Sequence, residues 1–77
     1  MTTPSDIGEI VRRARKGMGL RQDELAAAAG VGLRFVVDLE RGKPTVQLGR
    51  TLGVLGALGL DLHIAARAPP PNGLLGS

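Results

Sequence analysis

The residues whose types and spacing point most directly to a chemistry are Arg34, Val37, Asp38 and Arg41. On a helix, positions separated by three, four and seven share one face. Two guanidiniums on such a face present planar forks of N–H donors, which suit base edges and phosphate oxygens. Arg34, one turn in, is placed either to read guanine O6 and N7 or to clamp a phosphate without base choice. Gly32 and Leu33 stand at the leading end, where a small residue allows close approach and a leucine meets a thymine methyl. Asp38 runs against this pattern, because a carboxylate repels phosphate. It must accept from cytosine N4, pair with Arg34 or Arg41, or face aside, and the sequence leaves these open.

Two short amphipathic segments position this face. The first places Leu25, Ala26 and Ala29 on one side, and the second places Phe35, Val36 and Leu39, both at helical spacing. Between them stand Gly30, Val31 and Gly32, with Gly30 suited to a left-handed helix stop and Gly32 to an N-cap. Two helices joined by so tight a turn form a helix-turn-helix, whose second helix fits the major groove. Gln22 opens the first of the two, where free N–H groups and a positive end suit a phosphate oxygen. Arg21, Arg41 and Lys43 flank the same ridge as candidate phosphate contacts.

The pattern Gly19-Leu20, Gln22, Leu25-Ala26, Gly30-Val31, Val36 and Glu40-x-Gly42 resembles the XRE/Cro-like family of DNA-binding regulators. With Gly42-Lys43-Pro44-Thr45 and Ala57-Leu58-Gly59-Leu60 it is most similar to the HipB-like antitoxin branch, over roughly residues 6–60. Arg21 stands where Thr or Ser usually caps the second helix, and Gly32 where Ser usually begins the third. The resemblance implies an all-α, lambda-repressor-like domain of four to five helices. It also implies that Gln22 contacts a phosphate or braces the recognition helix, and that Glu40 forms a structural ion pair with the helix-one arginine, here Arg15.

Seventy-seven residues make one small domain, near the size where oligomerisation commonly helps stability. No cysteine is present, so neither a disulfide nor a thiolate metal site contributes. Ten Lys and Arg against seven Asp and Glu give a net charge of +3, compatible with nucleic acid but not diagnostic. His63 is the sole histidine and Ser5 and Ser77 the only serines, so a Ser-His-acid arrangement finds no support. Asp23 and Glu24 suit the positive end of the second helix better than acid–base work. No catalytic residue, metal site or cofactor is expected. Residues 1–6 are polar and no signal-like apolar region follows. The segment 46–60 is too short for a bilayer, so the matching spacing of Gly49 and Gly53 is only a pattern. A cytoplasmic protein without membrane association is the expectation.

Along the rest of the chain, residues 1–5 read as a flexible N-terminus and 6–67 as the DNA-binding and dimerisation domain. The first helix is expected to be capped by Ser5 or Asp6 with Glu9 completing a box. Its buried stripe is expected as Ile7, Ile10, Val11, Ala14 and Met18. Arg12, Arg13 and Lys16 read as a solvated face, and Gly17 and Gly19 as the stop. A fourth helix is predicted over residues 46–58, with Thr45 as N-cap, Gly59 as stop, and Leu48, Leu52, Leu55 and Leu58 buried. Residues 60–65 alternate apolar and polar, so Leu60, Leu62 and Ile64 mark a strand. A lone strand leaves backbone groups unpaired, and a second copy of the chain is the simplest partner, the alternative being an extended tail against its own core. Residues 68–77, with three consecutive prolines and Leu74-Leu75, read as a disordered tail.

These readings converge on a homodimer that binds double-stranded DNA at a palindromic operator and represses transcription. The resemblance adds the role of antitoxin in a type II toxin–antitoxin pair, neutralising a HipA-like kinase toxin. The alternatives are a stand-alone XRE-type regulator, or a helical interaction module without DNA binding.

Overall fold

Glycines, rather than polar side chains, set the lengths of the four helices. The computed structural model describes residues 2–44 and 47–64, which form α1 (Pro4–Gly17), α2 (Gln22–Ala29), α3 (Leu33–Glu40) and α4 (Leu48–Ala57). Past the end of each stands a glycine at positive φ: Gly19, Gly30, Gly42 and Gly59. At each, the next residue's N–H returns to a carbonyl five residues back, as from Leu20 to Arg15 (3.1 Å) and from Lys43 to Asp38 (3.1 Å). These main-chain bonds satisfy carbonyls that a helix end would otherwise leave open.

The start of α1 lies ahead of its expected position. Thr3, not Ser5 or Asp6, is the N-cap: its Oγ1 accepts from Asp6 N–H (3.2 Å), while Asp6 Oδ2 accepts from Thr3 N–H (2.9 Å). Asp6 thus closes the box, and Glu9 instead pairs with Arg13 one turn on (2.6 Å). Pro4 accounts for the shift. Its fixed φ and missing N–H suit the first helical position, so the helix takes in residues that read as a flexible N-terminus.

The core is Val11 of α1, Leu25 and Ala26 of α2, Val36 and Leu39 of α3, and Val54, Leu55 and Leu58 in and just after α4. α3 packs against both α1 and α2, and α2 against α4. The helix-turn-helix faces follow the expected stripes, with Phe35 and Ala29 at the core's edge. Two other stripes are corrected. On α1, Ile10 and Met18 are about half exposed (50% and 53%), and the buried positions are Gly8, Val11 and Arg15. On α4, Leu48 and Leu52 remain exposed, while Thr51, Val54, Leu55 and Leu58 turn inward. Thr51 can sit there because its hydroxyl donates to Gln47 O (2.9 Å). Hydrophobicity alone favoured the leucines; what they line is a second apolar cleft between α1 and α4.

Among the described residues there is no β-strand. Residues 60–64 form no ladder within one chain, where no second strand lies beside them. α4 begins at Leu48 with Gln47 as N-cap, later than predicted. The expected cap Thr45, the expected first residue Val46 and everything read from residue 65 onward, including the tail, lie outside the described residues.

Gly8 lets α1 lie directly on the end of α3. A Cβ there would run into the carbonyl oxygens of Leu39 and Glu40, backbone atoms that cannot swing away. Gly53, in mid-α4, differs: an added Cβ would make only an ordinary contact of 3.7 Å with Ala29 O. Alanine at the two sites therefore acts in opposite directions. Gly8→Ala is expected to cost about 1–3 kcal/mol through overpacking. Gly53→Ala is expected to gain about 0.5–1 kcal/mol from helix propensity. Urea denaturation of both variants beside the parent checks this, and equal midpoints would contradict the close approach.

Candidate nucleic-acid interface

Arg15 and Glu40 meet behind the outward face of α3, at its C-terminal end. Arg15 Nε donates to Glu40 Oε2 (2.7 Å) and Nη2 to Oε1 (3.1 Å), a bidentate pair, while Nη1 donates to Leu20 O (2.8 Å). Gln22 Nε2 donates to Glu40 Oε1 as well (3.2 Å). The two charged side chains are only 11% and 4% exposed. A buried pair so fully hydrogen-bonded fixes geometry, since removing either partner strands a charge in a poorly solvated place. It joins α1, the start of α2 and the end of α3 at one point.

With its inner side held, α3 presents the opposite side to solvent. Arg34 and Arg41 are exposed, Val37 and Asp38 half-buried, and Leu33 is about half exposed at the leading end. A Cβ at Gly32 would meet nothing, so packing does not demand glycine there; its effect is to leave the helix tip bare. The partners of Asp38 are now fixed within the chain. Arg34 Nε lies 3.3 Å from Oδ1 and Lys43 Nζ 3.6 Å from Oδ2, whereas Arg41 is not its partner.

Arg21 is placed apart from this cluster. It is exposed and paired with its own neighbours, Asp23 (3.0 Å) and Glu24 (3.8 Å). The hydrogen bond from Arg21 holds the Asp23 carboxyl below its ordinary range, and the same contact raises the guanidinium's. No side chain at position 21 caps α2. Acids take over: Glu24 Oε1 accepts from Arg21 N–H (2.8 Å) and Asp23 Oδ1 from Glu24 N–H (3.0 Å). The missing Thr or Ser cap is thus replaced from within the helix's first turn.

Beside the buried pair opens a polar groove lined by Arg12, Arg15 and Lys16 of α1, Gln22 of α2, and Val37, Glu40 and Arg41 of α3. Arg12 and Lys16 had read as solvated surface. They flank Arg15 at three and one residues' distance, so its tie to α3 carries them to the same groove. Sequence spacing contained that signal once Glu40 was given its partner. Leu60 and Leu62 lie elsewhere, with Ile7, Ile10, Leu48 and Leu52 in the α1–α4 cleft, and Ile64 is almost wholly exposed. Among the described residues there is no cluster of metal-ligating side chains, and no helix is long and apolar enough to cross a membrane.

A four-helix core that offers the second helix of a tight pair outward, with arginines along it, defines a helix-turn-helix protein. A helix-turn-helix family model matches residues 11–63, and the chain belongs to this XRE-like family of DNA-binding transcriptional regulators. It is 62% identical over 64 residues to an uncharacterized HTH-type transcriptional regulator, y4mF, of Sinorhizobium fredii, covering 83% of this chain and 84% of that one. Its fold is similar to a chain of the HipA–HipB–O2–O3 complex and to one of the HipB–O4 20mer complex. Each gives a TM-score of 0.79 at 19% identity, over 88% of this chain and 96% of the other.

Truncation of Glu40 should expose the cost of stranding Arg15. Glu40→Ala is expected to destabilise by about 3–5 kcal/mol, and Gln22→Ala by only about 1 kcal/mol because one neutral donor is lost. Chemical denaturation monitored by far-UV circular dichroism measures both. A loss below about 0.5 kcal/mol for Glu40→Ala, typical of an exposed pair, would contradict the burial described.

Proposed function

We propose that the chain is a homodimeric transcriptional repressor that inserts α3 into the major groove at each half of a palindromic operator. The observation that carries this reading is the outward face of α3, with Arg34 and Arg41 free of the core while Glu40 on the inner side is locked down. Arg34 and Val37, with Gly32 and Leu33 at the tip, meet base edges, and Asp38 stands beside Arg34 as its ion-pair partner. Gln22, Arg41 and Lys43 hold phosphates, joined by Arg12 and Lys16 from the groove. Arg21, bound to its own acids, contributes a phosphate contact only after exchanging Asp23 for DNA. Transcriptional repression from the operator makes this a cytoplasmic protein.

Dimerisation is supported by two features of the same side. The α1–α4 cleft exposes leucine and isoleucine side chains beyond what a small domain covers by itself. Residues 60–64 adjoin it and belong to no ladder among the described residues, and pairing with the same segment of a second copy gives them one. Such a dimer brings two copies of α3 onto one face of DNA, about one helical turn apart.

The finer role we infer is antitoxin: the dimer silences a HipA-like kinase and represses its own operon. The support is fold likeness to a chain from a complex named for HipA and HipB, together with the sequence resemblance. A stand-alone regulator is the second reading, favoured by the description of the 62% identical relative. Co-expression with the neighbouring gene separates them: a kinase retained by the tagged chain and inhibited by it supports the antitoxin role.

Footprinting of the upstream promoter should show paired protected half-sites. Arg34→Ala is expected to lose about 1–3 kcal/mol of operator affinity, and wild-type binding should weaken steeply with salt. Undiminished promoter binding by Arg34→Ala would refute the placement of α3. In sedimentation, the double variant Leu62→Asp, Ile64→Asp should run as a monomer where the parent runs as a dimer. A monomeric parent at micromolar concentration would remove the dimer from the proposal.

A further inference from the structure

We propose that Asp38 is a positioning residue that sets base specificity by holding the Arg34 guanidinium at its Nε. The inference rests on the reading of α3 as a base-contacting helix, and goes beyond it by assigning the carboxylate a task. Asp38 sits between two cations, with Arg34 Nε 3.3 Å from one oxygen and Lys43 Nζ 3.6 Å from the other. Its side chain is only 17% exposed, whereas those of Arg34 and Lys43 are 76% and 54% exposed. The carboxylate is therefore the fixed point, and the two long cations are the ends that it restrains.

A guanidinium held by charge on its Nε side can turn its two terminal nitrogens, side by side, toward guanine O6 and N7. Released from that anchor, the same side chain reaches neighbouring phosphates equally well and gains nothing from base identity. In water the contact is weak because Arg34 is solvated. When a groove closes over it and water leaves, the same pair strengthens. Two positive charges around one negative keep this corner attractive to phosphate, so the acid costs little affinity. An unpaired carboxylate would instead repel the backbone.

The consequence is a division of roles: Arg34 makes the base contact, and Asp38 makes it selective. Replacing Asp38 should leave a protein that binds DNA well but chooses poorly. The test is binding-site selection from a randomised duplex library by the full chain, followed by titration of a selected duplex and a random 20-base-pair duplex at several salt concentrations. Wild type should enrich a G·C pair at one position of each half-site. With Asp38→Ala that preference should fall about tenfold, and affinity for the random duplex should rise. Asp38→Asn, close in size and uncharged, should behave like Asp38→Ala, while Asp38→Glu should recover part of the preference. This guards against a fold defect in the alanine variant, because a defect would lower binding to every duplex and spare the base preference. Equal G·C preference in wild type and both uncharged variants overturns the inference while leaving the DNA-binding reading intact. Absence of salt-dependent duplex binding by wild type removes that reading and this inference together.

Discussion

The buried pair of Arg15 and Glu40 is the constraint around which the molecule is arranged. α3 has only eight residues and no acidic residue in its first turn or basic residue in its last, so it has little stability of its own. Its inner face is held by Val36 and Leu39, but apolar packing is non-directional and does not define how a short rod is rotated. The bidentate contact does. Arg15 reaches Glu40 from α1, Leu20 O takes a further donor, and Gln22 adds the start of α2, so three elements share one hydrogen-bonded node. The outward aim of Arg34 and Arg41 follows from that node.

Gly8 complements it from the other side. Where Arg15 ties α1 to α3 by charge, Gly8 lets the two backbones meet without a side chain between them. A wider separation at Gly8 would carry the guanidinium away from Glu40, and any side chain at position 8 would run into the Leu39 and Glu40 carbonyls. Polar geometry and steric closeness therefore specify the same arrangement. Agreement of that kind between independent interactions gives a small domain one native state rather than several.

Much of this was legible in the sequence because local rules decided it. The turn between α2 and α3, the stop at Gly30, the cap at Gly32 and the stop at Gly59 depend on neighbours a few residues away. The partner of Glu40 required family resemblance, since Arg12, Arg13, Arg15 and Lys16 all offered a cation and spacing does not choose among them. The faces of α1 and α4 were misjudged for a physical reason. Each helix has two apolar flanks, one toward its own core and one toward the α1–α4 cleft, so hydrophobic periodicity located a stripe wider than either. Burying Thr51 in place of Leu52 depended on a hydroxyl finding Gln47 O. The early start of α1 was written in Pro4, which a search for hydrophobic spacing passed over. Asp38 stayed undetermined between Arg34 and Arg41, and its second partner, Lys43, was not foreseen because its place depends on where the chain turns after α3.

The four glycine endings have a wider consequence. Helices finished by their own main chain ask nothing of the amino acids on their outer sides, and the same architecture persists at 19% identity. Length and orientation of α3 are thus fixed separately from the side chains it presents. If α3 reads the operator as proposed, a new address in the genome needs only a few exposed letters exchanged, with no renegotiation of the foundations.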